Sequence, residues 1–147
     1  MIVRRATEQD LNQLAVLFDE YRQFYGAPSN LSQSYHFLKQ RFANQESVIF
    51  IHLKGEVMTG FILLYLGFSS VACSTYYILD DVYVTPLYRR QGSAKQLIDT
   101  AILFARQQNA QRISLETQKN NFQSHQLYEQ MGFVRDNEFY IYHCFLK

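Results

Sequence analysis

Apolar residues recur along this chain in two rhythms, every second position and every third or fourth, and the switches between them outline its elements. "IVRRA" (2–6) reads as a short first strand. Thr7 then opens "TEQD", which resembles a capping box with Asp10 in place of the usual Glu or Gln. Leu11, Leu14, Phe18, Tyr21 and Phe24 or Tyr25 follow at helical spacing, up to a stop near Gly26. "SNLSQSYHFLKQRFAN" (29–44) repeats the helical pattern through Leu31, Tyr35, Leu38 and Phe42. "SVIFIHL" (47–53) and "MTGFILLYLGF" (58–68), joined around Lys54-Gly55-Glu56, predict a hairpin, and "STYYILDDVYV" (74–84) a further strand. A broad apolar face of Leu97, Ile98, Ala101, Ile102, Phe104 and Ala105 predicts a helix from about Gly92 to Gln108. "RISLET" (112–117) predicts a strand, "NFQSHQLYEQMG" (121–132) a helix stopped by Gly132, and "EFYIYHCFL" (138–146) a last strand. The order β-α-α-β-β-β-α-β-α-β predicts an α/β fold, with helices on a mixed sheet.

Composition narrows the function classes. The 147 residues contain no repeat and no linker-like stretch, so a single domain over 1–147 is expected. With 48% hydrophobic residues the chain can bury a core. Fourteen Lys+Arg against thirteen Asp+Glu leave a formal charge of +1, which argues against nucleic-acid binding by phosphate neutralisation. The longest apolar run, Phe61 to Leu66, is far too short to span a membrane. "MIVRRATEQD" has no apolar core of a secretion signal, so a cytoplasmic protein is expected. Cys73 and Cys144 form no CxxC pair and are expected as buried free thiols, with one disulfide as the alternative. The four histidines are scattered, which gives no pattern for zinc, and no metal is expected.

The segment with most chemical content is "LDDVYVTPLYRRQGSAKQLIDTA" (79–101), a strand, a doubly basic turn and a helix. The first turn of a helix offers unpaired N–H groups and the positive end of the dipole, which suit a phosphate. Gly92 permits close approach to the backbone, Ser93 and Ala94 add little bulk, and Arg89 and Arg90 bring charge. An ordinary turn with solvated arginines is the alternative. The turn is neither GxxxxGK[ST] nor GxGxxG, so it predicts neither a nucleoside-triphosphate loop nor a dinucleotide fold.

"VTPLYRRQGSA" resembles the coenzyme-A pyrophosphate loop of the GCN5-related N-acetyltransferase (GNAT) superfamily, [QR]-x-x-G-x-[GA], with Arg89, Gly92 and Ala94 at the signature positions. "NFQSHQLYEQMGF" is similar to a second family motif, N-x-x-A-x-x-x-Y-x-x-x-G-F. Asn121, Tyr128, Gly132 and Phe133 match it, while Ser124 stands where Ala is usual. "EYRQFYG", "SVIFIH" and "EFYIYH" look like a subgroup described as histone- or polyamine-type acetyltransferases. The resemblance implies a mostly antiparallel central sheet, splayed around the acyl-CoA site, with helices on both faces. It also implies acetyl-CoA as co-substrate, lying against Val82, Val84, Arg89, Arg90, Gln91, Gly92, Ser93, Ala94 and Asn121.

Acetyl transfer from a thioester to an amine needs a deprotonated amine near the carbonyl, a donor for the developing oxyanion and an acid for the leaving thiolate. The resemblance implies a strand N–H as the donor, at Val84 or a neighbour, and Tyr128 as the acid. A packed helix aromatic is the alternative for Tyr128. One acidic residue on the strand carrying Asp80 and Asp81 is often the family's base or substrate anchor; a strand-end aspartate satisfying backbone or Arg partners is the alternative. "LDDVYV" is similar to the L-E-D stretch of spermidine/spermine acetyltransferases, with Asp80 at the Glu position. Strand alternation predicts that Asp80 and Asp81 point to opposite faces and form no pair. His125 is a weaker candidate base.

The resulting expectation is an acetyl-CoA-dependent N-acetyltransferase acting by direct attack in a ternary complex. The acceptor is a primary amine of a small molecule, polyamine- or amino-acid-like, or of a peptide. The resemblance implies that Asp19, Glu20, Tyr21 and Tyr25 in "FDEYRQFYGAPSN" border the acceptor site, where they suit an amine with a second positive charge; a core stripe plus a solvated face is the alternative. The alternative is a module that binds acyl-CoA without turnover and serves regulation or assembly. The apolar last strand is too long for an unprotected edge, which predicts pairing at or near a homodimer interface.

Overall fold

The computed structural model describes residues 1–147, which form two compact units, residues 1–116 and 117–147. In the first, strand β1 (Ile2–Arg5) leads through a 3-10 turn to helices α1 (Leu11–Phe24) and α2 (Leu31–Ala43). Strands β2 (Ser47–Lys54), β3 (Val57–Ser69) and β4 (Ser74–Val84) follow, then helix α3 (Ser93–Gln107) and strand β5 (Ile113–Ser114). The sheet runs β1-β2-β3-β4-β5, antiparallel up to β4, with β5 parallel to β4. The second unit carries helix α4 (Phe122–Gln130).

Each helix forms where its apolar stripe and its caps agree. The Thr7 N–H donates to Asp10 Oδ2 at 2.8 Å, and Asp10 also pairs with Arg4 at 2.8 Å, so Asp serves in the capping box. The bond from Arg4 is the largest influence holding the Asp10 carboxyl below its usual range. Helix α2 begins at Asn30, whose side chain accepts from the Gln33 N–H at 3.0 Å. Helices pack on both faces of the sheet. On one, Leu14 and Phe18 of α1 and Leu38 of α2 meet Ile49, Ile51, Phe61 and Leu63 in one buried cluster. On the other, Phe104 of α3 lies 5.6 Å from the Phe50 ring and 5.4 Å from the Tyr77 ring, and Leu97, Ile98 and Ala101 are fully buried.

Gly60 is where β3 and β4 approach too closely for any side chain. A Cβ there would lie 2.7 Å from the Tyr83 carbonyl oxygen. Gly60→Ala is therefore expected to cost about 1–3 kcal/mol by forcing the strands apart, read from urea denaturation.

Two expectations about strands are corrected. The run "RISLET" pairs with β4 only through Ile113 and Ser114, opposite Tyr77 and Ile78, and its later residues form no strand. Residues 138–146 form none at all, and Tyr140, Tyr142, Phe145 and Leu146 are exposed. Strand-like composition becomes a strand only when a ladder satisfies its backbone, and this segment has no ladder. The cysteines are free as expected, but both are exposed rather than buried. Cys73 sits in the turn between β3 and β4 with φ +50°.

Candidate functional site

The strand β4 is irregular at its most acidic point. Leu63 of β3 pairs with Asp81 and Leu64 pairs with Leu79, which leaves Asp80 as the extra residue of a β-bulge. The bulge reverses the alternation. Tyr77, before it, packs on Phe104 of α3, whereas Tyr83, after it, packs on Tyr21 of α1 and Phe61. Without the bulge, residues 77 and 83 would share a face. Asp80, in phase with the residues before the bulge, and Asp81, in phase with those after it, consequently face the same side. Both line one cavity, which corrects the expectation of opposite faces.

That cavity has a volume of about 360 Å³ and lies entirely within the first unit. Its walls include Phe18, Tyr21 and Arg22 of α1, Phe37 of α2 and Tyr65 of β3. Asp81 is only 7% exposed, and burial, which penalises the carboxylate, is the main cause pushing its pKa up to about 7. The neighbouring Asp80 pushes the same way, while the Tyr21 phenol pulls back. The Tyr21 phenol itself is driven far above its ordinary range, by burial first and then by Asp81. Tyr65 rises to about 12, again mainly through burial. Burial beside a second carboxyl therefore keeps the proton on Asp81 up to near neutral pH.

Beside the cavity the sheet is open. β5 accompanies β4 only at Tyr77 and Ile78, so β4 beyond Ile78 has no ladder partner on that side. Thr85 N–H donates to Thr59 O at 2.9 Å, and alternation along the ladder then turns the backbone groups of Tyr83 and Asp81 toward β3. The backbone groups of Val82 and Val84 face the open side. Arg89 agrees with this, since its Nε donates to the Val84 carbonyl at 2.8 Å and its guanidinium lies 5.5 Å from the Tyr83 ring centre. The Val84 N–H on that edge is thus available as a donor.

The basic turn leads from β4 into α3, as its sequence predicts. Arg90 at φ +62° and Gly92 at φ +82° are left-handed, and Gly92 is the N-cap of α3. No side chain caps this helix, no acidic residue lies in its first turn, and the space above Gly92 is open. Ser93 is buried, while Arg90, Gln91 and Gly92 are exposed. Uncapped N–H groups at the positive end of a dipole, with a glycine and two arginines beside them, fit a pyrophosphate.

Other candidates lie elsewhere. Asp19 is buried and accepts from Ser29 Oγ at 2.7 Å, the Asn30 N–H at 2.9 Å and Ser34 Oγ at 2.9 Å. These bonds, that from Ser29 foremost, hold its pKa down, and they join α1 to α2 rather than facing the cavity. Tyr25 is exposed, with its ring 5.0 Å from Tyr21, and does not line the cavity. Glu20 accepts from the Tyr83 hydroxyl at 3.2 Å. In the second unit, Asn121 caps α4 by accepting from the Ser124 N–H at 3.3 Å. Tyr128 is half-buried, with its ring 5.7 Å from Phe133. The His125 Nε2 lies 2.8 Å from the Gln118 carbonyl, so this nitrogen carries its proton as a donor. Arg22, Phe37 and Tyr65 enter the site without having stood out in the sequence. The signal was present in their spacing, since Phe18, Tyr21 and Arg22 share a helix face, and Tyr65 shares a strand face with Leu63.

No group of three or more His, Cys, Asp or Glu side chains is gathered as a metal site, and no helix is long and apolar enough to cross a membrane.

Comparison with known proteins agrees with this geometry. The Acetyltransferase (GNAT) family model matches residues 14–133. The chain is 38% identical over 144 residues to the uncharacterized N-acetyltransferase YhfO of Bacillus subtilis, covering 98% of this chain and 96% of that one. It is 28% identical to a "probable acetyltransferase" of Haemophilus influenzae, over 80% of this chain and 82% of the other. The crystal structure of another "probable acetyltransferase" superposes with a TM-score of 0.95 at 38% identity, over 100% and 99% of the two chains. Loop, open sheet edge and relatives converge, and the chain belongs to the GNAT family of acetyltransferases.

Proposed function

We propose that this chain transfers the acetyl group of acetyl-CoA directly to a primary amine of a small molecule, with both substrates bound together and the Asp80–Asp81 pair accepting the amine's proton. One observation carries the reading: the bulge brings two carboxyls onto one cavity wall, beside the open edge of β4. A base with a pKa near 7 is matched to work at neutral pH. The uncapped start of α3 supports pyrophosphate binding, and the exposed edge at Val82 and Val84 supports binding of the extended pantetheine.

In this reading the acceptor arrives as an ammonium and loses one proton to Asp81. Its lone pair then attacks the thioester carbonyl, where the Val84 N–H stabilises the developing negative charge. As the C–N bond forms, the nitrogen passes its second proton to solvent, and the oxyanion re-forms the carbonyl as the C–S bond breaks. The departing sulfur gains a proton, a role the family resemblance gives to Tyr128. Tyr21 lines the same cavity as Asp81, and burial pushes its phenol above the ordinary range.

The small cavity supports a small acceptor rather than a long peptide, since 360 Å³ lies at the low end for ligand pockets. Polyamine-like and amino-acid-like amines both remain within the proposal, and the likeness to polyamine-type members guides the choice of amines. Thiol release from acetyl-CoA across polyamines, amino acids of both hands and basic peptides tests it. Amine-dependent release is expected for at least one class; tight acetyl-CoA binding without release from any would favour the non-catalytic module. Tyr128→Phe is expected to lower kcat roughly 100-fold with acetyl-CoA affinity unchanged, measured by turnover and calorimetry.

A further inference from the structure

The cavity that holds the carboxyl pair also holds a cation. Arg22 of α1 lines it together with Asp80 and Asp81. Its guanidinium is only loosely engaged, with NH1 3.3 Å from Ser34 Oγ, NH2 3.3 Å from Gln33 Oε1 and 3.6 Å separating NH1 from Asp19 Oδ1. Asp19 is already satisfied at shorter range by Ser29, Asn30 and Ser34. Arg22 therefore keeps donor capacity in the same cavity that the carboxyls enter from β4. Between these charged groups the walls are aromatic: Phe18, Tyr21, Phe37 and Tyr65.

We infer that the acceptor carries an anionic group, a carboxylate in the first instance, which Arg22 binds while the amine lies against Asp80 and Asp81. This rests on the proposed acetyl transfer and names its substrate class: an amino acid or similar zwitterion. Charge balance leads to it. Asp80 and Asp81 bring negative charge to the cavity and Arg22 brings positive charge, so the lining matches a ligand that carries both signs. The apolar walls suit a short hydrocarbon stretch joining the two. A diamine would place its second ammonium in the cavity that Arg22 shares, with like charges opposed. The sequence-based expectation of a doubly cationic acceptor is revised accordingly.

The test compares α- and ω-amino acids with the monoamine and the diamine of each chain length, for the wild type and for Arg22→Gln and Arg22→Lys. In the wild type, kcat/KM for the best amino acid is expected to exceed that of its matching monoamine and diamine by about tenfold or more, the range for a hydrogen bond to a charged group. Arg22→Gln is expected to erase that preference through KM, and Arg22→Lys to restore part of it. Circular dichroism and acetyl-CoA affinity are read alongside, because Arg22 also joins α1 to α2. A wild-type preference for diamines, or an Arg22→Gln effect equal for all acceptors in a folded protein, would overturn the inference and leave the acetyl transfer standing. Failure of every amine, with acetyl-CoA bound, would overturn both.

Discussion

Asp81→Asn is expected to lose activity and gain stability, and the two effects have one cause. Asp81 sits almost buried, and burial raises its pKa to about 7 in the folded chain, above the 3.8 of an ordinary aspartate. Between these values the folded state holds a proton that the unfolded chain has already released. Stability is therefore complete in this respect below about pH 4 and is lost as pH rises through 7. Each tenfold change in proton affinity is worth about 1.4 kcal/mol, so ionisation at pH 8 costs on the order of 2–4 kcal/mol. Asparagine keeps the shape, still accepts a bond from Tyr21 and carries no charge. The thermal midpoint at pH 8 is expected to rise by roughly 5–10 °C, with little change at pH 4. Over the same substitution kcat/KM at pH 7 is expected to fall about 100-fold or more, recovering partly at high pH as the amine deprotonates unaided. A variant with wild-type activity would remove Asp81 from the reaction, and one equally stable at both pH values would remove the buried charge.

Gly92→Asp is expected to abolish acetyl-CoA binding while the fold survives. Gly92 is the left-handed N-cap of α3, with no atom within 4 Å of the point where a Cβ would sit. Nothing in the core resists the new side chain, and the local cost is the left-handed conformation, about 1–2 kcal/mol. Aspartate, however, delivers a carboxylate to the N–H groups and dipole that fit a pyrophosphate, and repels it besides. Affinity by calorimetry is expected to fall more than about 100-fold, whereas Gly92→Ala, which adds strain without charge, loses about tenfold or less. Undiminished affinity in a folded Gly92→Asp protein would move the cofactor elsewhere.

How far the sequence revealed these features depended on whether local pattern or long-range pairing decided them. The strand 74–84 and the helix after Gly92 follow from alternation and an apolar stripe, and the structure forms them within a residue of expectation. The turn itself was legible because Gly92 and small residues open an amphipathic stretch, whereas the left-handed backbone of Arg90 was not. The carboxyl pair was not, since a bulge in β4 depends on its register with Leu63 and Leu64 and leaves no trace in the residues of β4 itself. Asp19 differs from expectation for a related reason. Its acidity suggests a ligand, while its partners Ser29, Asn30 and Ser34 come together only when α2 folds back on α1. Residues 138–146 have the composition of a strand, but only a ladder makes one.

Direct transfer of acetyl from acetyl-CoA to an amine held beside Asp80 and Asp81 makes a kinetic demand that no other reading shares. Initial rates over a grid of acetyl-CoA and amine concentrations, with the acetylated product quantified by mass spectrometry, address it most directly. One N-acetyl product is expected for each thiol released, with double-reciprocal lines that intersect, as a ternary complex requires. Parallel lines, or thiol release that does not depend on the amine, would contradict it.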